Sequence, residues 1–319
     1  MVRPAGSSLA LLMVLWSVSP VPMCLAQTLV PRFEAVIGSQ GNGQGQLNYP
    51  GGVAIDPAGN VYVADSGNSR VQLFDRTGRF LRQIGGFGFG AGQFGRPQDI
   101  VATGLDVFVT DPQNRNVQRF DRGLNLVATL PSVGRDSGNV GTDLFARPWG
   151  IAVSGLGDLY ITDSDSDEIV RLSSSGDVVA RFGGFGDGTG RLRQPTGIVV
   201  DASGRVYVAD SGNGRIAVFD AFGGFLDAYG EGELRGPRGL CIDSSRRLIV
   251  ADTENDRIAV FAVTGELLLT HGVAGDGTGS FSNPLSVAVN GNGSIYVADT
   301  DNSRIQVFTL SDTILDVLE

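Results

Sequence analysis

Apolar and polar residues alternate along this chain in short bursts, and the bursts recur. VYVAD (61–65), VFVTD (107–111), LYITD (159–163), VYVAD (206–210), LIVAD (248–252) and IYVAD (295–299) are copies of one β-branched and aromatic run ending on aspartate. Before them stand runs such as GVAID (52–56) and LCID (240–243), and after them runs such as RVQLF (70–74) and RIAVF (215–219, 257–261). A fourth run closes the unit, as in FLRQIG (80–85), VVARFG (178–183) and FLDAYG (225–230). Runs this short, rich in Val, Ile, Tyr and Phe, predict β-strands. The segments between them, DPAGN (56–60), DRTGR (75–79) and DASGR (201–205), put Asp first and Gly where a turn needs positive φ. No segment carries a helical period.

The unit is anchored by prolines at Pro50, Pro97, Pro148, Pro195, Pro237 and Pro284, and the repeats start near 47, 94, 145, 192, 234 and 281. Four strands per repeat, six times over, predict an all-β fold: a six-bladed β-propeller of four-stranded antiparallel blades. A lone blade cannot bury both faces, whereas a closed ring buries each blade against two neighbours. Closure needs an outer strand for the last blade. Phe33–Gly38 reads as such a strand and carries the following Gly-rich loop with it, so an N-terminal strand is expected to pair with the last blade. Thr313–Leu318 competes for the same edge and is then expected to add an extra edge strand.

The combination Asp-x-x-Asn-x-Arg after the second strand, followed by an apolar pair and Phe, resembles the NHL repeat family over 47–310. Asp65-Asn68-Arg70, Asp210-Asn213-Arg215, Asp252-Asn255-Arg257 and Asp299-Asn302-Arg304 carry it most clearly. The second copy has Asp111 and Asn114 but Asn116 for the arginine; the third has Asp163, Ser166 and Glu168. The resemblance implies a six-bladed fold. It implies no single function, since NHL relatives include RNA-binding domains, protein-interaction platforms, sensor domains and peptide-amidating lyases. Six-fold recurrence marks the Asp-Asn-Arg set as structural, because a ligand site breaks a repeat's symmetry.

The position after each anchoring proline does break it: Gly51, Gln98, Trp149, Thr196, Arg238 and Leu285. Asp99 and Ser286 replace the repeat's glycine one residue later. The start of each first strand should lie at the mouth of the central channel, so Gln98, Asp99, Trp149, Thr196, Arg238 and Leu285 are the candidate binding residues.

Composition narrows the function. Residues 1–26 read as a signal peptide: Arg3, an apolar run from Leu9 to Val18, then Cys24-Leu25-Ala26. Lipidation of Cys24 is the rival reading. A periplasmic or secreted protein is expected, with residues 27–319 forming one domain and no transmembrane segment after cleavage. The net charge is −10, all 24 basic residues are arginine, and no basic stripe is evident, so nucleic acid is not an expected partner. His271 is the only histidine, which leaves no His-ligated metal cluster; the amidating lyases of the resembled family rely on several. The loops GSQGNGQG, GGFGFGAG, GGFGDGTG and GVAGDGTG lack the Lys-Ser/Thr of a phosphate loop and read as connectors. Cys241 reads as a packed core residue. No cofactor, metal or catalytic set is expected. The chain reads as a monomeric protein- or glycan-binding platform; the alternative is a metal-assisted lactonase- or lyase-like propeller enzyme.

Overall fold

The computed structural model of the protein describes residues 27–130 and 144–314. The leader with Cys24, and residues 315–318 of the tail segment, lie outside the described residues. Six four-stranded antiparallel sheets form the ring. Blade one shows the pattern: Pro50–Ile55 innermost, then Val61–Asp65, Arg70–Phe74 and Phe80–Gly85. Blades three to five repeat it from Pro148, Pro195 and Pro237. In blade two the innermost strand begins at Ile100 rather than at Pro97.

Blade six is built from both ends of the chain. Its strands Pro284–Val289, Ser294–Asp299 and Arg304–Ile314 are completed on the outside by Gln27–Ile37, which runs antiparallel to the third. Phe33 lies opposite Phe308, their rings edge to face with centroids 5.8 Å apart. The tail does not add a further strand over its described part: Thr313 and Ile314 prolong the third strand and pair with Thr28 and Gln27. The N-terminal strand holds this edge, and its loop leads straight into blade one.

The core lies between blades rather than at the centre. Six hydrophobic clusters each fill one seam; that between blades one and two joins Tyr62, Ala64, Val71 and Leu73 to Val107, Val109 and Phe120. The residue opening each repeat (Leu47, Phe94, Phe145, Leu192, Leu234, Phe281) is buried and plugs a seam. The innermost strands approach closely. A Cβ on Gly150 would lie 2.1 Å from the Thr196 carbonyl oxygen, and one on Gly197 2.0 Å from that of Arg238. This approach is why the repeat asks for glycine there.

Candidate functional site at the channel mouth

The recurring Asp-Asn-Arg set holds the face of the propeller on which the mouth opens. In blade one, Asp65 is fully buried and accepts hydrogen bonds from the Asn48 amide (2.7 Å), Asn68 Nδ2 (2.9 Å), Gln72 Nε2 (3.0 Å) and Arg70 Nε (2.7 Å). Arg70 also bonds the carbonyls of Asn42, Gly43 and Gln46 in the preceding Gly-rich loop and, at 3.0 Å, Gln83 Oε1 on the adjacent strand. The aspartate thus fixes the entry to the blade, and the arginine clamps the incoming loop. Arg215 holds the carbonyls of Gly188 and Arg191, and Arg304 those of Gly277 and Ser280; Asn213 and Asn302 bond Asp210 and Asp299. In blade five, Asp252 gathers Asn255, Arg257 and the Arg235 amide.

The two irregular copies find substitutes. Asp163 still accepts the amides of Ala146 and Arg147, but Glu168 stands where the clamp belongs. Glu168 pairs with Arg181 on the adjacent strand, and Arg181 Nη2 bonds the Leu144 carbonyl at 2.7 Å. The arginine has moved one strand outward and still reaches a loop carbonyl. In blade two, Asp111 accepts the Gly95 and Arg96 amides, Asn114 Nδ2 reaches the Gly88 carbonyl, and Gln118 takes the Gln93 carbonyl at 2.7 Å.

A second ring of bonds was not anticipated from the sequence. The residue after each strand-end aspartate is Ser66, Ser164, Ser211, Thr253 or Thr300, with Pro112 in blade two. Each hydroxyl donates to the carbonyl of the next blade's anchoring proline, as in Ser164 to Pro195 at 2.6 Å and Thr253 to Pro284 at 2.7 Å. Thr300 closes the ring onto Pro50 at 2.9 Å. Recurrence of Ser/Thr after Asp was the available signal. Pro112 has no hydroxyl to give; Thr110 bonds the Trp149 carbonyl at 2.6 Å, as Thr162 bonds that of Thr196 in blade three, beside its intact serine tie.

These ties position the mouth. The pairing of the innermost strand with its neighbour shifts register just after the anchoring proline, between Pro148 and Ile151 and between Pro237 and Leu240, for example. The bulged residues, Trp149 and Arg238 among them, are released from the ladder and aimed elsewhere. Gln98, Trp149, Arg238 and Leu285 line a funnel of about 490 Å³, joined by Arg96, Arg115, Arg147, Gln113, Asp165 and Asn283. Below it the channel narrows to about 10 Å³, room for about one water, between Gly51, Gln98, Asp99, Trp149, Arg238 and Leu285. Beyond this neck it widens to about 230 Å³, lined by the six innermost strands.

Not every candidate faces the lumen. Thr196 is buried, and its hydroxyl bonds Ser211 Oγ (2.6 Å) and the Pro237 carbonyl (3.2 Å). Asp99 sits half-buried in the wall, and its Oδ2 accepts the Ile151 amide of the next blade at 3.0 Å. Burial raises its pKa to about 6, against the pull of the Ile151 and Ile100 amides. Ser286 plays the matching part between blades six and one, accepting the Val53 amide at 3.3 Å.

Trp149 and Arg238 meet. The guanidinium carbons of Arg238 and Arg147 stand 5.2 Å and 5.0 Å from the centre of the Trp149 ring. Arg147 is exposed and 3.6 Å from Asp165. Arg238 is half-buried, its Nε is sealed from solvent with no hydrogen-bond partner, and burial holds its pKa below the ordinary arginine value. Nine arginines among the described residues are buried or half-buried, and eight of them pair with an aspartate; Arg238 is the exception.

The remaining candidates are packed. Cys241 is buried in the channel wall, where burial drives its thiol pKa far upward. His271 lies on the outermost strand of blade five, edge-on to Phe281 and Phe308, and burial lowers its pKa. Among the described residues no group of three or more His, Cys, Asp or Glu could hold a metal ion. No helix among them is long and apolar enough to cross a membrane.

The NHL repeat model matches residues 47–74, 145–172, 192–219, 234–261 and 281–308. The chain belongs to the NHL-repeat family. The one blade left unmatched is the second, whose Asn116 and Pro112 depart from the repeat while its four strands form as in the others. The NHL chain is 39% identical over 130 residues to RING finger protein nhl-1 of Caenorhabditis elegans, covering 41% of this chain and 13% of that one. It is 26% identical over 154 residues to Protein brain tumor of Drosophila melanogaster, covering 47% and 14%. The chain therefore spans about a seventh of these curated relatives. Among solved structures a streptogramin B lyase aligns with TM-score 0.59 at 14% identity, over 89% of this chain and 98% of that one, a likeness of fold alone.

Proposed function

We propose that this NHL propeller is an exported, monomeric recognition module that binds a protein or glycan ligand in the funnel at its channel mouth. An NHL fold is consistent with a protein-binding platform. The observation that carries the reading is the pairing of Trp149 with Arg238 in a cavity of about 490 Å³, on a frame whose other half-buried arginines are all neutralised. Tryptophan and arginine are the side chains that dominate binding energy at interfaces. The funnel rests on six blades tied through their innermost strands, so little ordering cost attends binding. In both curated relatives the matching region is a small part of a longer chain, which suits a unit of recognition. Export is supported by the apolar run at Leu9–Val18 followed by Cys24-Leu25-Ala26. The lyase-like alternative would have to work from Asp99, the carboxylate of the channel neck, which is engaged with the Ile151 amide.

The test is a crosslinking pull-down from the periplasmic or secreted fraction, comparing the wild type with Trp149→Ala/Arg238→Ala after both are shown to fold. A partner retained by the wild type and lost by the double variant supports the module and its face. A partner retained equally by both removes the funnel from the reading.

A further inference from the structure

The chain is acidic, yet its funnel is not. Among the described residues, Arg96, Arg147 and Arg238, with Arg115, line it beside the one carboxylate of Asp165, in a molecule of net charge −10. Elsewhere the fold answers each buried arginine with an aspartate, because an unpaired buried charge is costly. Arg238 has an aromatic face on one side and an open cavity on the other, and the carboxylate that acts on it, Glu254, is itself paired with Arg235. A site that keeps a desolvated cation unpaired is complementary to an anion arriving from outside.

The surroundings narrow the anion's carrier. Asp165 belongs both to the funnel and to a second depression of about 420 Å³, lined by Ser164, Asp167, Phe185, Arg193 and Gln194; the carboxylates of this depression leave it to the ligand's apolar residue and the funnel to its acid. The two form a track from the channel mouth outward to Phe185, which is 68% exposed at the end of its Gly-rich loop. Phe87 and Phe89 project from the corresponding loop between blades one and two at 67% and 70% exposure. Phe185 carries the Arg193 guanidinium 5.3 Å from its ring centre and Phe87 and Phe89 pack edge to face, and their exposed faces offer apolar contact, so the rim suits side chains such as leucine or phenylalanine better than the hydroxyls of a sugar. Resting on the recognition reading above, we infer that the ligand is an extended acidic peptide segment, with one carboxylate seated between Arg238 and Arg147 in the funnel and an apolar residue lying along Phe185.

Trp149 reports on this site directly, because the chain has two tryptophans and the other is Trp16. In the full chain carrying Trp16→Phe, Trp149 fluorescence is titrated with hexaglutamate, with hexaglutamine, and with hexaglutamate extended by a phenylalanine. Hexaglutamate should shift the emission with an affinity that falls as salt rises, and hexaglutamine should not. Arg238→Gln should weaken binding about tenfold or more, while Arg238→Lys retains part of it and Arg76→Gln, on a hairpin at the other end of blade one, costs under about twofold. The phenylalanine should tighten binding in the wild type and not in Phe185→Ala. Thermal melts of each variant keep a folding defect from being mistaken for lost binding. Equal losses for Arg238→Gln and Arg76→Gln, or no response to hexaglutamate, overturn the inference. So does a response to hexagalacturonate or hexauridylate with hexaglutamate silent, which would assign the funnel to a glycan or to RNA. If hexaglutamate fails while the pull-down still loses its partner in the funnel variant, the recognition module stands and only its acidic-peptide ligand falls.

Discussion

Asp99 offers the sharpest test of the structure. It occupies a position where most repeats have glycine, and it bridges blades two and three by accepting the Ile151 amide at 3.0 Å. Burial raises its pKa from 3.8 to about 6, so the folded protein binds this proton more tightly than the unfolded chain does. The stability that goes with the proton is therefore fully present below about pH 4 and is lost as the pH climbs through about 6. A rise from 3.8 to about 6 corresponds to about 3 kcal/mol as an upper bound, and water in the channel beside this half-buried group reduces it to roughly 1–3 kcal/mol.

Asp99→Asn keeps an oxygen for the Ile151 amide and removes the charge. The variant should match the wild type near pH 4 and exceed it by roughly 1–3 kcal/mol near pH 8, the difference opening between the two pKa values. The assay is urea denaturation of both proteins across this range, followed by fluorescence and circular dichroism, with the difference in midpoint free energy plotted against pH. Other carboxylates titrate in the same range and cancel in the difference. Asp75, Asp121 and Asp201, all lowered, contribute equally to both proteins. A difference that is flat with pH, or a variant less stable than the wild type near pH 8, would refute the view that Asp99 is a strained tie rather than a stabilising one.

Three further outcomes follow from the frame. Arg70→Leu leaves the fully buried Asp65 without its charge partner and frees the clamped loop, so urea denaturation should show a loss of about 3–5 kcal/mol, partly recovered by adding Asp65→Asn. Thr300→Val removes the hydroxyl that ties blade six to Pro50 and leaves that buried carbonyl unanswered, a cost of about 1–3 kcal/mol in the same measurement. Glu168→Arg sets two arginines against each other beside Leu144 and should destabilise blade three, whereas Glu168→Arg with Arg181→Gln restores the pattern of Arg70 and Gln83 and should recover most of the loss in a thermal melt.

The strands, their order and the N-terminal closure were legible because each rests on a local signal repeated six times. Alternation, turn glycines and strand-end aspartates vote together, and an error in one copy is outvoted by the rest. The Phe33–Gly38 strand was found because its loop matched the other connectors. The tail at 313–318 has the same local signal but no loop to carry it into a blade, and Thr313 and Ile314 simply prolong the third strand of blade six. The mouth was legible in outline, as the position after the proline, because variation there stands out against a constant background. Its details were not. Thr196 looks like Trp149 in sequence position but is drawn into the wall by Ser211 and the Pro237 carbonyl, partners that only the closed ring brings near. The charge of the funnel was hidden for a related reason. Arg96, Arg115, Arg147 and Arg238 come from blades two, three and five, and a net charge of −10 averages them away.

Apart from Ser286 in blade six, the departures from the repeat gather in one part of the ring. Pro112 without its hydroxyl, Asn116 without its clamp, Asp99 for glycine, the longest spacing between anchoring prolines, and Glu168 for arginine all fall in blades two and three or the connection between them. At the seam they share, where Pro112 has no hydroxyl to tie to the next proline, Thr110 bonds the Trp149 carbonyl and Asp99 the Ile151 amide. Trp149 is thus held through its carbonyl by Thr110 and, two residues on, the Ile151 amide is held by Asp99; Thr162 repeats the first bond on the Thr196 carbonyl and Ser286 the second on the Val53 amide. A repeat relaxed by drift alone would lose its ties and leave them unreplaced. Here the Glu168 departure is answered at Leu144 by Arg181, and at the seam between blades two and three both side-chain bonds fall on the backbone from Trp149 to Ile151. That convergence argues that the seam is shaped around Trp149. It also explains why burial strain is tolerated at Asp99, where glycine would serve the ring better but would leave the amide next to Gly150 without its acceptor.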